Sequence, residues 1–130
     1  MLRKIATTVG AAAAAVALLS QPAQAGQGAN WFDVWGGGGN GYGHIAINGT
    51  AVGAQNVYVK DTDCNSQWTS LQIYMEGYGT KTYTTAGYGC NSTIGPFNGP
   101  IGTLPNSSGE VLVRMCSQTG QCGPWKRVNP

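Results

Sequence analysis

Three Gly-Tyr-Gly triplets and two nearby tryptophans are the residues of this chain best suited to contact a ligand. Tyr42, Tyr78 and Tyr88 each stand between two glycines, and Trp31 and Trp35 precede a run of four glycines. Because glycine gives a neighbouring ring little cover, one hypothesis is that the tyrosines are presented on turns, where aromatic rings bind sugars or proteins. The favoured interpretation is that the glycines make the turns while the tyrosines fold back onto the edge of the core. For the two tryptophans, anchoring of the N-terminal segment in the core is the favoured interpretation.

Catalytic side chains are scarce. His44 is the single histidine, so a serine hydrolase would have to use it, with Asp33 among the groups that could orient it. No G-x-S-x-G motif is present, and a lone histidine on a strand is more often structural. Glu76 and Glu110 could form a glycosidase pair, but both lie at the ends of predicted strands, where a solvated charge is ordinary. The sequence therefore predicts a protein that is not an enzyme.

Residues 61–66 (DTDCNS) place oxygen-bearing side chains at alternate positions, as the first half of a calcium loop does. Two departures argue against that motif, since Ser66 replaces its glycine and Gln72 replaces its bidentate glutamate. We interpret the segment as a polar turn. Zinc is disfavoured as well, because no C-x2-C pair exists. The sequence predicts neither a metal nor a cofactor.

Four cysteines, Cys64, Cys90, Cys116 and Cys122, all lie after the first 25 residues of the chain. An even number of cysteines in a small exported chain indicates disulfides, and four cysteines allow three pairings. We favour Cys64–Cys90 and Cys116–Cys122, because the latter closes a short loop of the kind found across a hairpin.

Residues 1–25 have the pattern of a secretory signal peptide: Arg3 and Lys4, then a long apolar run, then Ala23-Gln24-Ala25 as an A-x-A cleavage site. The run is too short and too rich in alanine for a stable membrane span, so no membrane association is expected after cleavage. Residues 26–130 are then expected to form one secreted domain.

The charge of that domain excludes some partners. Without Arg3 and Lys4, the basic residues equal the five acidic ones in number. No basic stripe exists to neutralise phosphates, so nucleic-acid binding is not expected. An extracellular glycan or protein of unknown identity is the expected partner.

Short runs that are strand-like, separated by turn signals, place these residues in an all-β fold. Residues 71–75 alternate apolar and polar side chains, and so do residues 111–115. Two segments are predicted to be irregular, the glycine-rich N-terminal arm (26–43) and a loop rich in proline and glycine (91–109). The predicted strands are residues 44–47, 56–60, 68–76, 80–86, 110–116 and 124–128, with a hairpin turn at Asn48-Gly49 and no helix.

The sequence thus predicts a small antiparallel β-sandwich or barrel stapled by two disulfides. Its predicted function is non-catalytic binding of a glycan, a cell-wall polymer or an extracellular protein through exposed aromatic rings. The alternative is inhibition of a secreted protease or glycosidase by a constrained loop, either residues 91–109 or the cysteine-closed turn 117–121.

Overall fold

The computed structural model describes residues 30–129, which form eight strands and no helix. The predicted signal peptide (residues 1–25) and the first residues of the predicted arm (26–29) lie outside the described residues. In chain order the strands are β1 (Asn30–Gly36), β2 (Gly39–Asn48), β3 (Ala51–Asp61), β4 (Thr69–Met75), β5 (Gly79–Thr84), β6 (Thr93–Thr103), β7 (Val111–Ser117) and β8 (Lys126–Arg127).

The strands form two antiparallel sheets of four strands each. Sheet 1 has the order β1-β2-β3-β6, and sheet 2 has the order β5-β4-β7-β8. Apolar side chains from the inner faces of both sheets form one core, so the molecule is a β-sandwich. This confirms the predicted all-β class.

Alternation along the central strands explains the core. From Leu71 to Met75 on β4 and from Val111 to Met115 on β7, every second residue is apolar and fully buried. The antiparallel register sets Leu71 opposite Met115 and Ile73 opposite Val113. Each fully buried side chain of this kind contributes about 1.5–3 kcal/mol through removal of apolar surface from water. Sheet 1 faces them with Phe32, Val34, Ile45, Val52, Ala54, Val57 and Val59. The six predicted strands are all present within one or two residues of their predicted bounds or as parts of longer strands.

The prediction that residues 26–43 form a flexible arm is wrong for the part that the structure describes. This part is a β-hairpin, in which β1 pairs with β2 and Gly37 and Gly38 make the turn. Gly41 faces the other sheet, where a Cβ atom would lie 2.8 Å from the Met115 sulfur and 2.9 Å from Leu71 Cδ1. Glycine is needed there because the side chains of sheet 2 fill the space, so the glycines serve close packing rather than flexibility.

The prediction that residues 91–109 form an irregular loop is also wrong over most of that segment, because residues 93–103 form β6. This strand pairs with β3 through three shifts of register. Prolines are compatible with β6 because it is an edge strand, in which the N–H groups that face solvent make no ladder hydrogen bond. The apolar side chains of this segment are turned to the core: Leu104 is buried, and Ile94, Phe97 and Ile101 pack partly buried against it.

Both predicted disulfides are present, Cys64–Cys90 and Cys116–Cys122, and no described cysteine is free. The second staples the end of β7 to the following turn, where Cys116 and Cys122 form an isolated antiparallel bridge. Two disulfides in a small domain are consistent with an extracellular protein.

Candidate functional site

The two tryptophans of β1 point away from the core. Along this strand Phe32 and Val34 are buried, whereas Trp31, Asp33 and Trp35 alternate with them on the outer face. Trp31 is 67% exposed and Trp35 is 61% exposed. The expectation that these tryptophans anchor the chain in the core is therefore wrong, because the alternation of the strand gives that role to Phe32 and Val34.

The register of sheet 1 brings further rings onto the same outer face. Asp33 lies opposite Tyr42 on β2, and Tyr42 lies opposite Tyr58 on β3. Tyr42 is thus part of a strand and half-buried, and the prediction that it stands on a turn is wrong. We call Trp31, Trp35, Tyr42 and Tyr58 the aromatic row. Since Trp31 and Trp35 are four residues apart on one strand, their Cα atoms are about 13 Å apart, with Tyr42 between them on the neighbouring strand.

Ring stacking holds three members of the aromatic row in place. The Trp31 indole stacks on the His44 imidazole with ring centroids 4.3 Å apart and an interplanar angle of 10°. Tyr42 stacks on Tyr58 with centroids 5.3 Å apart. Because one face of the indole rests on His44 while most of its surface is in solvent, Trp31 presents its opposite face outward. Rings fixed in this way lose little conformational entropy when a ligand binds.

Polar groups lie between the rings. Asn40, opposite Trp35, donates through Nδ2 to Asp33 Oδ1 at 2.7 Å and to the Val34 carbonyl oxygen at 3.0 Å. The amide therefore fixes the Asp33 carboxylate between the two tryptophans, where its second oxygen remains an acceptor. Lys60 lies opposite Asn40 on β3. The outer face thus alternates aromatic surface with hydrogen-bonding groups.

His44 is buried beneath Trp31, with 6% of its surface exposed. Its Nε2 atom is buried and has no hydrogen-bond partner among residues 30–129. No hydrogen bond joins it to Asp33, whose Oδ1 accepts from Asn40 instead. In this structure His44 therefore supports the exposed Trp31 ring.

The two remaining sequence candidates, Tyr78 and Tyr88, lie at the other side of the sandwich. Both stand on turns, as predicted, and are 60% and 62% exposed. They border two depressions of about 520 and 510 Å³ between the edge strands β5 and β6. In the lining of the second depression, which Tyr88 borders, Tyr83 stacks on Phe97 with ring centroids 4.2 Å apart. Burial raises the pKa of the Tyr83 hydroxyl above its usual value.

The carboxylates considered for chemistry have structural partners. Glu76 accepts the Glu110 backbone N–H at 2.9 Å, and Glu110 pairs with Arg127 at 3.2 Å. In the polar turn, Asp61 Oδ1 accepts the Asp63 backbone N–H at 3.1 Å. Within residues 30–129 no group of three or more histidines, cysteines or acidic residues is placed to hold a metal ion.

The structure therefore divides the five sequence candidates into two groups, with Trp31, Trp35 and Tyr42 on one face and Tyr78 and Tyr88 on the opposite edge. Sequence reasoning missed Tyr58 and Asn40. A signal for Tyr58 was present, since it lies within a predicted strand between buried Val57 and Val59.

Comparisons of this chain with family models, with curated proteins and with solved structures gave no match.

Among the described residues there is no helix long and apolar enough to cross a membrane.

Proposed function

We propose that this protein is a secreted, non-catalytic binding module that attaches to an extracellular polysaccharide through the aromatic row of sheet 1. The observation that carries the proposal is the pair Trp31 and Trp35, two indoles more than 60% exposed on the same face of one strand. Exposing two rings of this size to water is unfavourable, and such surface usually marks a binding site.

The character of the outer face favours a glycan over a protein partner. On β1, β2 and β3 the large apolar side chains that point outward are all aromatic, and their neighbours are hydrogen-bonding groups such as Asp33, Asn40 and Gln55. Sugar rings present apolar C–H faces and hydroxyl edges together, so they match such a surface. An extended row about 13 Å long suits a polymer better than a single sugar.

The experiment is retention of the purified, oxidised protein on insoluble chitin, cellulose and peptidoglycan. Wild-type protein should bind one of these polymers saturably, and the double variant Trp31→Ala/Trp35→Ala should lose retention. The matched control is Tyr78→Ala/Tyr88→Ala, which removes two equally exposed rings from the opposite edge and should bind like wild type.

Two outcomes would overturn the proposal. Failure of the wild-type protein to bind any polymer would argue against a cell-wall glycan as ligand. Equal retention of the double tryptophan variant would show that binding does not use the aromatic row.

The predicted alternative, an inhibitor acting through a constrained loop, receives less support. Its apolar contact residues Ile94, Phe97, Ile101 and Leu104 pack against the core and are not free to enter the pocket of a protease.

A further inference from the structure

A second surface, on the outer face of sheet 2, contains an arginine that is held by two neighbouring side chains and has no acidic partner among residues 30–129. Arg114 on β7 donates through Nε to Gln72 Oε1 at 2.8 Å, and Gln72 lies directly opposite on β4. The Arg114 guanidinium carbon lies 4.1 Å from the centroid of the Trp125 ring. The Tyr74 ring lies beside Trp125, with centroids 6.2 Å apart.

The charge of Arg114 is not neutralised within the described residues. The ion pair found in residues 30–129 joins Arg127 to Glu110 and does not involve Arg114. Nε is bonded to Gln72, and neither Nη1 nor Nη2 has a hydrogen-bond partner among residues 30–129, so this terminal fork is available to a ligand. That fork matches the two oxygens of a carboxylate, and the stacked, hydrogen-bonded guanidinium loses little entropy on binding.

The neighbours of Arg114 indicate the rest of the ligand. Gln72 lies opposite Thr82 on β5 as well as opposite Arg114, so a hydroxyl, an amide and a guanidinium form one line across three strands. Tyr74 lies opposite Thr80 in the next line, which adds a ring and a second hydroxyl. Hydroxyl, amide and ring together suit a sugar that carries a carboxylate.

We propose that the outer face of sheet 2 binds a carboxylated sugar unit of an acidic polysaccharide, with the carboxylate on the Nη fork of Arg114. The aromatic row belongs to sheet 1, so this site does not depend on the function proposed above. Because the two sites are on opposite outer faces of the sandwich, both can be occupied at the same time.

The test is titration of the full domain with soluble polygalacturonate and, as a neutral match, with its methyl ester. Wild-type protein should bind the acid form and bind the ester at least tenfold more weakly. Arg114→Lys keeps the charge but lacks the fork, so it should also lose about tenfold in affinity, the size expected for a lost hydrogen bond to a charged group. Lys126→Gln is the control, since it removes an exposed cation from the adjacent strand β8 and should bind like wild type.

Several outcomes would overturn the proposal. Equal binding of the acid and the ester would exclude recognition of a carboxylate. A loss of affinity in Lys126→Gln with none in Arg114→Lys would indicate attraction to net charge alone. Competition by inorganic phosphate as strong as that by galacturonate would assign the fork to phosphate. Thermal unfolding of each variant establishes that it is folded. The variant Trp31→Ala/Trp35→Ala should retain binding to polygalacturonate, so failure of the function proposed for sheet 1 is distinguishable from failure here.

Discussion

Replacing Gly37 by alanine should destabilise the protein far more than replacing Gly49, although both glycines make hairpin turns with left-handed backbone, φ 56° and 64°. An alanine in that conformation costs about 1–2 kcal/mol, part of which is offset by the lower entropy of the unfolded chain. At Gly49 no atom of the described residues lies within 4 Å of an added Cβ, so the free energy of unfolding should fall by no more than about 1 kcal/mol.

At Gly37 the added Cβ would also lie 2.3 Å from the Cys116 carbonyl carbon and 2.3 Å from the Ser117 nitrogen. These are backbone atoms of β7, which cannot rotate away as a side chain can. Overpacking of this kind costs about 1–3 kcal/mol more, for a total of about 2–4 kcal/mol.

The assay is urea unfolding of the oxidised wild type, Gly37→Ala and Gly49→Ala, each followed by retention on the bound polymer. Because the turn at Gly37 positions Trp35, Gly37→Ala should also weaken retention, and Gly49→Ala should not. If the free energies of unfolding of Gly37→Ala and Gly49→Ala differ by less than about 0.5 kcal/mol, the close contact between this hairpin and β7 is refuted, since ordinary surface substitutions have effects of that size.

The other predictions concern a disulfide, a tyrosine and a histidine. Removing Cys64–Cys90 by double substitution to serine should lower the free energy of unfolding by about 3.5 kcal/mol, and removing Cys116–Cys122 should lower it by about 2 kcal/mol, because the first bridge closes the longer loop. Urea unfolding measures both losses, and equal losses would contradict the dependence on loop length. Because burial raises the pKa of Tyr83, the unfolded chain loses this proton first, so stability should be intact below about pH 10 and fall as the pH rises further. In Tyr83→Phe, the free energy of unfolding measured against pH should fall less steeply above about pH 10 than in wild type. An unchanged pH profile would argue against a raised pKa of Tyr83. His44→Phe should raise the free energy of unfolding by about 1 kcal/mol, because it removes a buried nitrogen that has no partner among residues 30–129. The ring stack with Trp31 and retention on the polymer should persist. A marked loss of stability would show that the nitrogen has a partner.

Strands whose own side chains alternate could be predicted from the sequence. In β4 and β7 the inward residues Leu71, Ile73, Val111 and Val113 repeat with period two, and that period alone indicates a half-buried strand. The disulfides followed from the number and spacing of the cysteines.

Strands that depend on contacts with residues distant in the sequence could not be predicted. Gly41 belongs to a strand because Leu71 and Met115 fill the space beside it, and nothing local to residues 36–43 contains that information. The β6 segment, with prolines and glycines, is a strand only because β3 offers it an edge.

The candidate site was predictable in composition but not in geometry. The aromatic residues were evident, but their directions depend on the pairing of β1 with β2. The alternation of Trp31, Asp33 and Trp35 with Phe32 and Val34 was a usable signal, since a charged residue on the tryptophan side indicates the solvent face.

The most direct test of the central claim is a proton–nitrogen correlation spectrum of the protein titrated with soluble fragments of the polymer that retains it. The chain has four tryptophans, so four indole N–H signals are expected. If the aromatic row is the binding site, the signals of Trp31 and Trp35 shift with the fragments, and those of Trp68 and Trp125 stay in place. Shifts confined to Trp68 and Trp125, or no indole shift under saturating fragment, would contradict the assignment of binding to sheet 1.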